Sequence, residues 1–187
     1  GNWFHDTPQR GRSNNSALLL RDKTSPEQFA ALMESVKEFG EPGFVWSDST
    51  ELIVNPCVEI GLYPVDEETG QTGWQACNLS TINCAKVKTK EEFFESCKAA
   101  SIIGTLQAGF IELPYLGEVS ERIFKREALL GVSMTGIMEQ YELCLDPAIQ
   151  REGARVVKKI NKEMAEKIGI NPAARSTCIK PEGTASC

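Results

Sequence analysis

Asn55, Cys57 and Glu59 occupy alternate positions in the run Asn55-Pro56-Cys57-Val58-Glu59. In an extended backbone alternate side chains share one face, so an amide, a thiol and a carboxylate would point together. A sulfur open to one-electron oxidation then lies between a hydrogen-bonding amide and a carboxylate able to take a proton. Fully extended, Asn55 and Glu59 would stand ~13 Å apart at ~3.3 Å per residue, too far to act on one small ligand. The run is therefore expected at a curved loop tip, which the restricted φ of Pro56 favours. Taken alone, it also reads as a strand end with a buried cysteine and a solvent-facing glutamate.

Two further runs hold chemistry-bearing residues. Cys77 opens Cys77-Asn78-Leu79-Ser80-Thr81-Ile82-Asn83, within a stretch from Trp74 to Asn83 that reads as buried and extended. Pro181-Glu182-Gly183-Thr184-Ala185-Ser186 combines a glycine, small side chains and hydroxyls. Such a loop can turn several backbone amides toward phosphate oxygens, although the same composition makes ordinary turns. Glu182 must point away from any phosphate, since a carboxylate facing it would repel.

The chain has seven cysteines (57, 77, 84, 97, 144, 178 and 187) and one histidine, His5. No two cysteines are spaced Cys-x-x-Cys, and one histidine leaves no Ser-His-Asp triad, so no metal site is expected. Cys84, Cys97 and Cys144 read as small buried hydrophobes in a reducing, cytoplasmic compartment. Twenty basic and twenty-six acidic residues give a formal charge of −6. That balance argues against a nucleic-acid partner. The apolar runs fall well short of a membrane span, and the first residues lack the pattern of a signal peptide.

These residues must be positioned by elements with clear punctuation. Ser25-Pro26-Glu27-Gln28 predicts a capped helix start, with Phe29, Leu32, Val36 and Phe39 as its apolar stripe and Gly40 as its end. Thr89-Lys90-Glu91-Glu92 predicts a second capping box, opening a helix through Phe93, Phe94, Cys97, Ala100, Ile103 and Leu106 toward Phe110. Helices are also predicted over 121–130, over 137–143, and from Asp146-Pro147 to Gly169 with Val157, Ile160, Met164 and Ile168 inward. Extended segments are predicted at 17–20, 44–49, 51–54, 131–136 and 176–179, and an exposed loop at 66–73. Strands alternating with helices indicate a mostly parallel α/β architecture in one domain, 1–187.

With these runs in view, the sequence resembles the large, catalytic subunit of ribonucleotide reductases. Asn55-Pro56-Cys57-Val58-Glu59 is similar to the family's finger-loop motif, and Cys77 to Asn83 to the strand carrying one cysteine of its redox pair. Leu130-Gly131-Val132-Ser133-Met134-Thr135-Gly136-Ile137-Met138 resembles a further block, and Lys180 to Ser186 the substrate-phosphate loop. Gly11 to Ser16 and Gly40 to Phe44 keep the same order.

The resemblance implies that Cys57, as a thiyl radical, takes the hydrogen from the ribose 3′ carbon. Glu59 is then the general base for the 3′-hydroxyl, and Asn55 a hydrogen-bonding anchor within the substrate-contacting run Asn55, Pro56, Cys57, Val58 and Glu59. Cys77 supplies one of two reducing thiols, and Pro181, Glu182, Gly183, Thr184, Ala185 and Ser186 hold the phosphate. The implied fold is the family's ten-stranded α/β barrel, incomplete here. The partner of Cys77 is expected upstream of Gly1 and the shuttle cysteines downstream of Cys187, so the chain by itself should be silent. The motif style favours adenosylcobalamin over a di-metal radical subunit, with a thioredoxin- or glutaredoxin-type reductant. A glycyl-radical enzyme on the related barrel, or a non-catalytic fragment keeping the fold, are the competing readings.

Overall fold

A computed structural model of the protein describes residues 3–181 and divides the chain into two compact units, Gly1–Tyr63 and Pro64–Cys187. In the first unit a short helix α1 (Trp3–Asp6) and a 3-10 turn (Pro8–Arg12) precede strand β1 (Ser16–Leu20). Helix α2 (Pro26–Phe39) returns the chain to strand β2 (Gly43–Ser47), which pairs parallel with β1, Ala17 opposite Phe44. The helix start forms as its residue types require. Ser25 Oγ accepts from Gln28 N at 3.2 Å while Ser25 N donates to Gln28 Oε1 at 2.9 Å, and Gly40 ends the helix at φ 73°. The apolar stripe of α2 is only half-buried, with Phe29 set edge-on to Phe44 at 5.2 Å. Strands β3 (Ile53–Val54) and β4 (Gly61–Leu62) then form a small antiparallel hairpin.

The second unit is built on strands β5 (Asn78–Asn83) and β6 (Leu130–Thr135), paired parallel from Asn78 opposite Leu130 to Asn83 opposite Thr135. Between them run α3 (Lys90–Ala108) and α4 (Gly117–Glu127), and after them α5 (Tyr141–Cys144) and α6 (Pro147–Ile168). The main core gathers Ile82, Phe93, Cys97, Val132, Met134 and Val157 between the sheet and the helices. Cys84, Cys97 and Cys144 are all buried there, as small apolar side chains. Burial pushes the Cys97 thiol up to about 12, and pushes Cys84 up as well, with its hydrogen bond to Cys144 adding to the effect.

The mixed α/β class follows the alternation of elements, and both multi-residue ladders of consecutive βαβ type are parallel. Several local expectations are corrected. Helix α4 begins four residues before the predicted 121, and Ala128 at φ 41° ends it before 130. Region 137–143 divides into a 3-10 turn (Met138–Gln140) and α5. Trp74, expected to be buried, is 68% exposed, whereas Asp66, expected in an exposed loop, is 3% exposed. At the second capping box Thr89 Oγ1 accepts from Glu92 N at 3.2 Å, but Glu92 Oε2 accepts from Lys88 N at 2.7 Å, one residue before the cap.

The inward faces of the two long helices also differ from their expected stripes. Ile103, Leu106 and Phe110 are exposed, and Ile168 with them. Phe93, Cys97 and Ala100 of α3 and Val157 of α6 are buried as expected, but the rest of the buried face is Ser101, Gly104, Thr105 and Ala108 on α3 and Gly153, Asn161 and Ala165 on α6. Small residues let two backbones approach closely. A Cβ on Gly153 would stand 2.8 Å from Phe93 Cε1, and one on Gly104 3.1 Å from Leu130 Cγ. Polar bonds fill the seam: Ser101 Oγ to Val157 O at 2.9 Å and Asn161 Nδ2 to Thr105 Oγ1 at 3.0 Å.

Candidate active site

The Asn55–Glu59 run belongs to the first unit, at the tip of the β3–β4 hairpin, where Ile53 faces Leu62 and Val54 faces Gly61. Val58 N donates to Asn55 O at 2.9 Å, closing a turn in which Pro56 takes the second position that its fixed φ suits. Asn55 N donates to Ile60 O at 3.2 Å, and Ile60 N donates to Asn55 Oδ1 at 3.0 Å. Val58 is left-handed at φ 67°, a conformation worth ~1–3 kcal/mol of strain for a branched residue. The hairpin therefore curls back on itself and lifts Cys57 to an exposed position, with Glu59 half-buried and Ile60 buried behind it.

The curved tip is as expected, but Pro56 does not make it alone. Asn55 spends its side-chain oxygen on the backbone of its own loop.

Cys77 belongs to the second unit, half-buried and immediately before β5. The start of that strand is pinned by Asn78, whose backbone N and side-chain Nδ2 both donate to Leu129 O, at 2.8 and 3.1 Å. On the other side of β6 the strand-like tail is present as a short parallel companion. Val132 N donates to Ser176 O at 3.0 Å, Cys178 N to Val132 O at 3.1 Å, and Lys180 N to Ser133 Oγ at 2.8 Å. This companion leads to Pro181, the last described residue. Glu182, Gly183, Thr184, Ala185 and Ser186 lie outside the described residues, so the phosphate-loop expectation falls mostly there.

Two neighbours of Cys77 were absent from the expected site, Gly131 and Cys178. Leu79 lies opposite Gly131 in the ladder, and Cys77, two residues earlier, shares its face. Thr177 bridges to Val132, so Cys178 shares the face of Gly131 too. A Cβ on Gly131 would lie 3.1 Å from Cys77 Sγ and 3.0 Å from Cys178 Sγ, and would collide with Leu79 Cδ2. The available signal was the glycine inside the strand run Leu130 to Met134, which marks a close approach. A cavity of about 390 Å³ lies among Ile82, Phe93, Met134 and Val157; Cys178 lines it, and none of the predicted site residues does. Among the described residues no cluster of three His, Cys, Asp or Glu side chains could hold a metal ion, and no helix is long and apolar enough to cross a membrane.

No family model and no curated protein matches this chain. Among solved structures it is similar to a crystal structure of a B12-dependent (class II) ribonucleotide reductase, at a TM-score of 0.55 and 21% identity. The match covers 97% of this chain and 30% of that one. The shared fold is that of part of a reductase. At this identity the likeness speaks for the fold, and the chain spans less than a third of the reductase it matches.

Proposed function

We propose that this chain takes part in reducing ribonucleotides to 2′-deoxyribonucleotides, as a portion of the barrel of a larger catalytic subunit. The observation that carries this reading is the reductase-like fold over 97% of the chain. The shaped hairpin tip that exposes Cys57 agrees with it. In this reading the two units belong to one partial catalytic domain, to which Cys57, Cys77 and the run from Pro181 to Ser186 all contribute.

Cys57, as a thiyl, removes the hydrogen atom from the ribose 3′ carbon, and Glu59 takes the 3′-hydroxyl proton. Asn55 holds the sugar through its amide N–H groups. Loss of water at the 2′ carbon is followed by two-electron reduction, for which Cys77 supplies one thiol and a residue outside this chain the other. Pro181, Glu182, Gly183, Thr184, Ala185 and Ser186 take the phosphate, with the backbone N–H groups after Pro181 as donors. An exposed thiol at a loop tip fits a radical source that approaches from outside the loop. Adenosylcobalamin supplies that radical when bound, a di-metal radical subunit being the alternative. A thioredoxin- or glutaredoxin-type protein in the cytoplasm restores the thiols.

The test uses the chain within its complete subunit, with ribonucleotide, adenosylcobalamin and a dithiol. Cys57→Ser should abolish deoxyribonucleotide formation while leaving nucleotide binding in place. Turnover that survives the substitution would remove Cys57 from the reaction. A requirement for a metallosubunit in place of cobalamin would change the radical source alone.

A further inference from the structure

Cys77 and Cys178 reach the same point from opposite sides of one strand. Both are half-buried thiols, one on the approach to β5 and the other on the companion segment beyond β6. Their sulfurs lie 3.1 and 3.0 Å from where a Cβ of Gly131 would stand, so they are separated by no more than those two distances together, 6.1 Å. Gly131 places no side chain between them, and the Leu79 side chain, whose Cδ2 reaches the same point, must turn aside for them to meet. The other three described thiols of this unit, Cys84, Cys97 and Cys144, belong to the core of the unit instead.

We propose that Cys178 is a resolving thiol for Cys77: when Cys77 is captured as a mixed disulfide, Cys178 displaces the captured group and closes a Cys77–Cys178 disulfide over Gly131. With a small-molecule disulfide R–S–S–R as oxidant, the Cys77 thiolate attacks one sulfur and expels RS⁻. Cys178 then gives its proton to solvent, and its thiolate attacks the Cys77 sulfur and expels the second RS⁻. Two protein thiols are oxidised, one disulfide is reduced to two thiols, and two electrons and two protons are transferred.

Bond formation brings the sulfurs to about 2.05 Å, a closure of ~4 Å at most from the observed limit. The strands themselves stand too far apart for a regular cross-strand bridge, since β6 lies between them and neighbouring strands are ~4.8 Å apart. Closure therefore draws on side-chain rotation and on the backbone at both cysteines, and at Cys178 it loosens the bond from Cys178 N to Val132 O. Cys77 precedes the first paired residue of β5, and Cys178 follows the bridge at Thr177. Any side chain at 131 would obstruct the path.

This inference concerns the same Cys77 that the proposed reduction uses, but its test does not read turnover. The whole chain is incubated with oxidised glutathione, quenched by alkylation and mapped as peptides without reduction. The parent should yield a peptide pair linking Cys77 to Cys178, lighter by two hydrogens than the sum of the two thiol peptides, with little glutathione on Cys77. Cys178→Ser, and independently Cys178→Ala, should lose the link and accumulate glutathione on Cys77 at least several-fold. Equal glutathione on Cys77 in parent and variants, or a link from Cys77 to another cysteine, would overturn the proposal. Failure of nucleotide reduction would leave this map unchanged, and failure of the map would leave the nucleotide reaction standing.

Discussion

Asp66 is a buried carboxylate held by a guanidinium and a hydroxyl. Its Oδ2 accepts from Arg122 Nη2 at 2.7 Å, Arg122 Nε at 3.1 Å and Thr69 Oγ1 at 2.6 Å. These bonds, the Arg122 guanidinium foremost, hold its carboxyl at about 2, against an ordinary 3.8. A depressed carboxyl stabilises the fold fully above its unfolded value and loses that contribution as pH falls through the folded one. Asp66→Asn should therefore melt at a lower temperature than the parent at neutral pH, and the gap should narrow as pH falls from about 4 to 2. A gap constant across that window in calorimetry would separate Asp66 from the acid sensitivity of the fold. Composition alone marks 66–73 as an exposed loop, because partners 56 residues away in sequence leave no local trace. The same holds for Cys178, whose approach to Gly131 depends on which strand lies beside β6. Cys57 was legible because its neighbours are local: a proline, and an asparagine able to bond across a tight turn.

Capped helix starts were read well and the faces of α3 and α6 only in part, for one physical reason. Ser25-Pro26 and Asp146-Pro147 cap through contacts within three residues, and Asp146 Oδ1 duly accepts from Ala148 N and Ile149 N at 2.7 and 3.1 Å. A buried face is chosen by what packs on it. Where α3 meets α6, close approach selects Ser101 and Thr105 over the larger Ile103 and Leu106, while Gly104 turns to Leu130 of β6. Thr105 is the centre of that seam, accepting from Asn161 Nδ2 at 3.0 Å and donating to Ser101 O at 2.7 Å. Thr105→Val keeps the volume and leaves a buried amide donor without its acceptor, costing about 1–3 kcal/mol. Denaturant unfolding should show that loss, while Thr105→Ser stays near the parent. Equal stability of the valine and serine variants would mean that the seam is held by packing alone.

At the scale of the whole chain the two units are unequally filled. Among the described residues, the fully buried hydrophobic side chains of Gly1–Tyr63 are Ile60 and Leu62, whereas Pro64–Cys187 holds all the rest. Helix α2 has no fully buried residue. Local opening tracks the apolar contact that must be broken, so native-state hydrogen exchange should find β6 and α3 slowest and α2 and β1 markedly faster. Comparable protection in α2 and α3 would contradict this ordering. The parallel pairing of the second unit has a further, temporal consequence. Asn78 meets Leu130 across 52 positions, and Val132 meets Thr177 across 45. No ladder bond of that sheet can form as a local hairpin, and each requires a long loop to be closed first. Helices α3 and α6, whose bonds span four residues, can form earlier and offer the surface on which the strands assemble. Acquisition of the sheet, and with it the meeting of Cys77 and Cys178, is then a late event in folding.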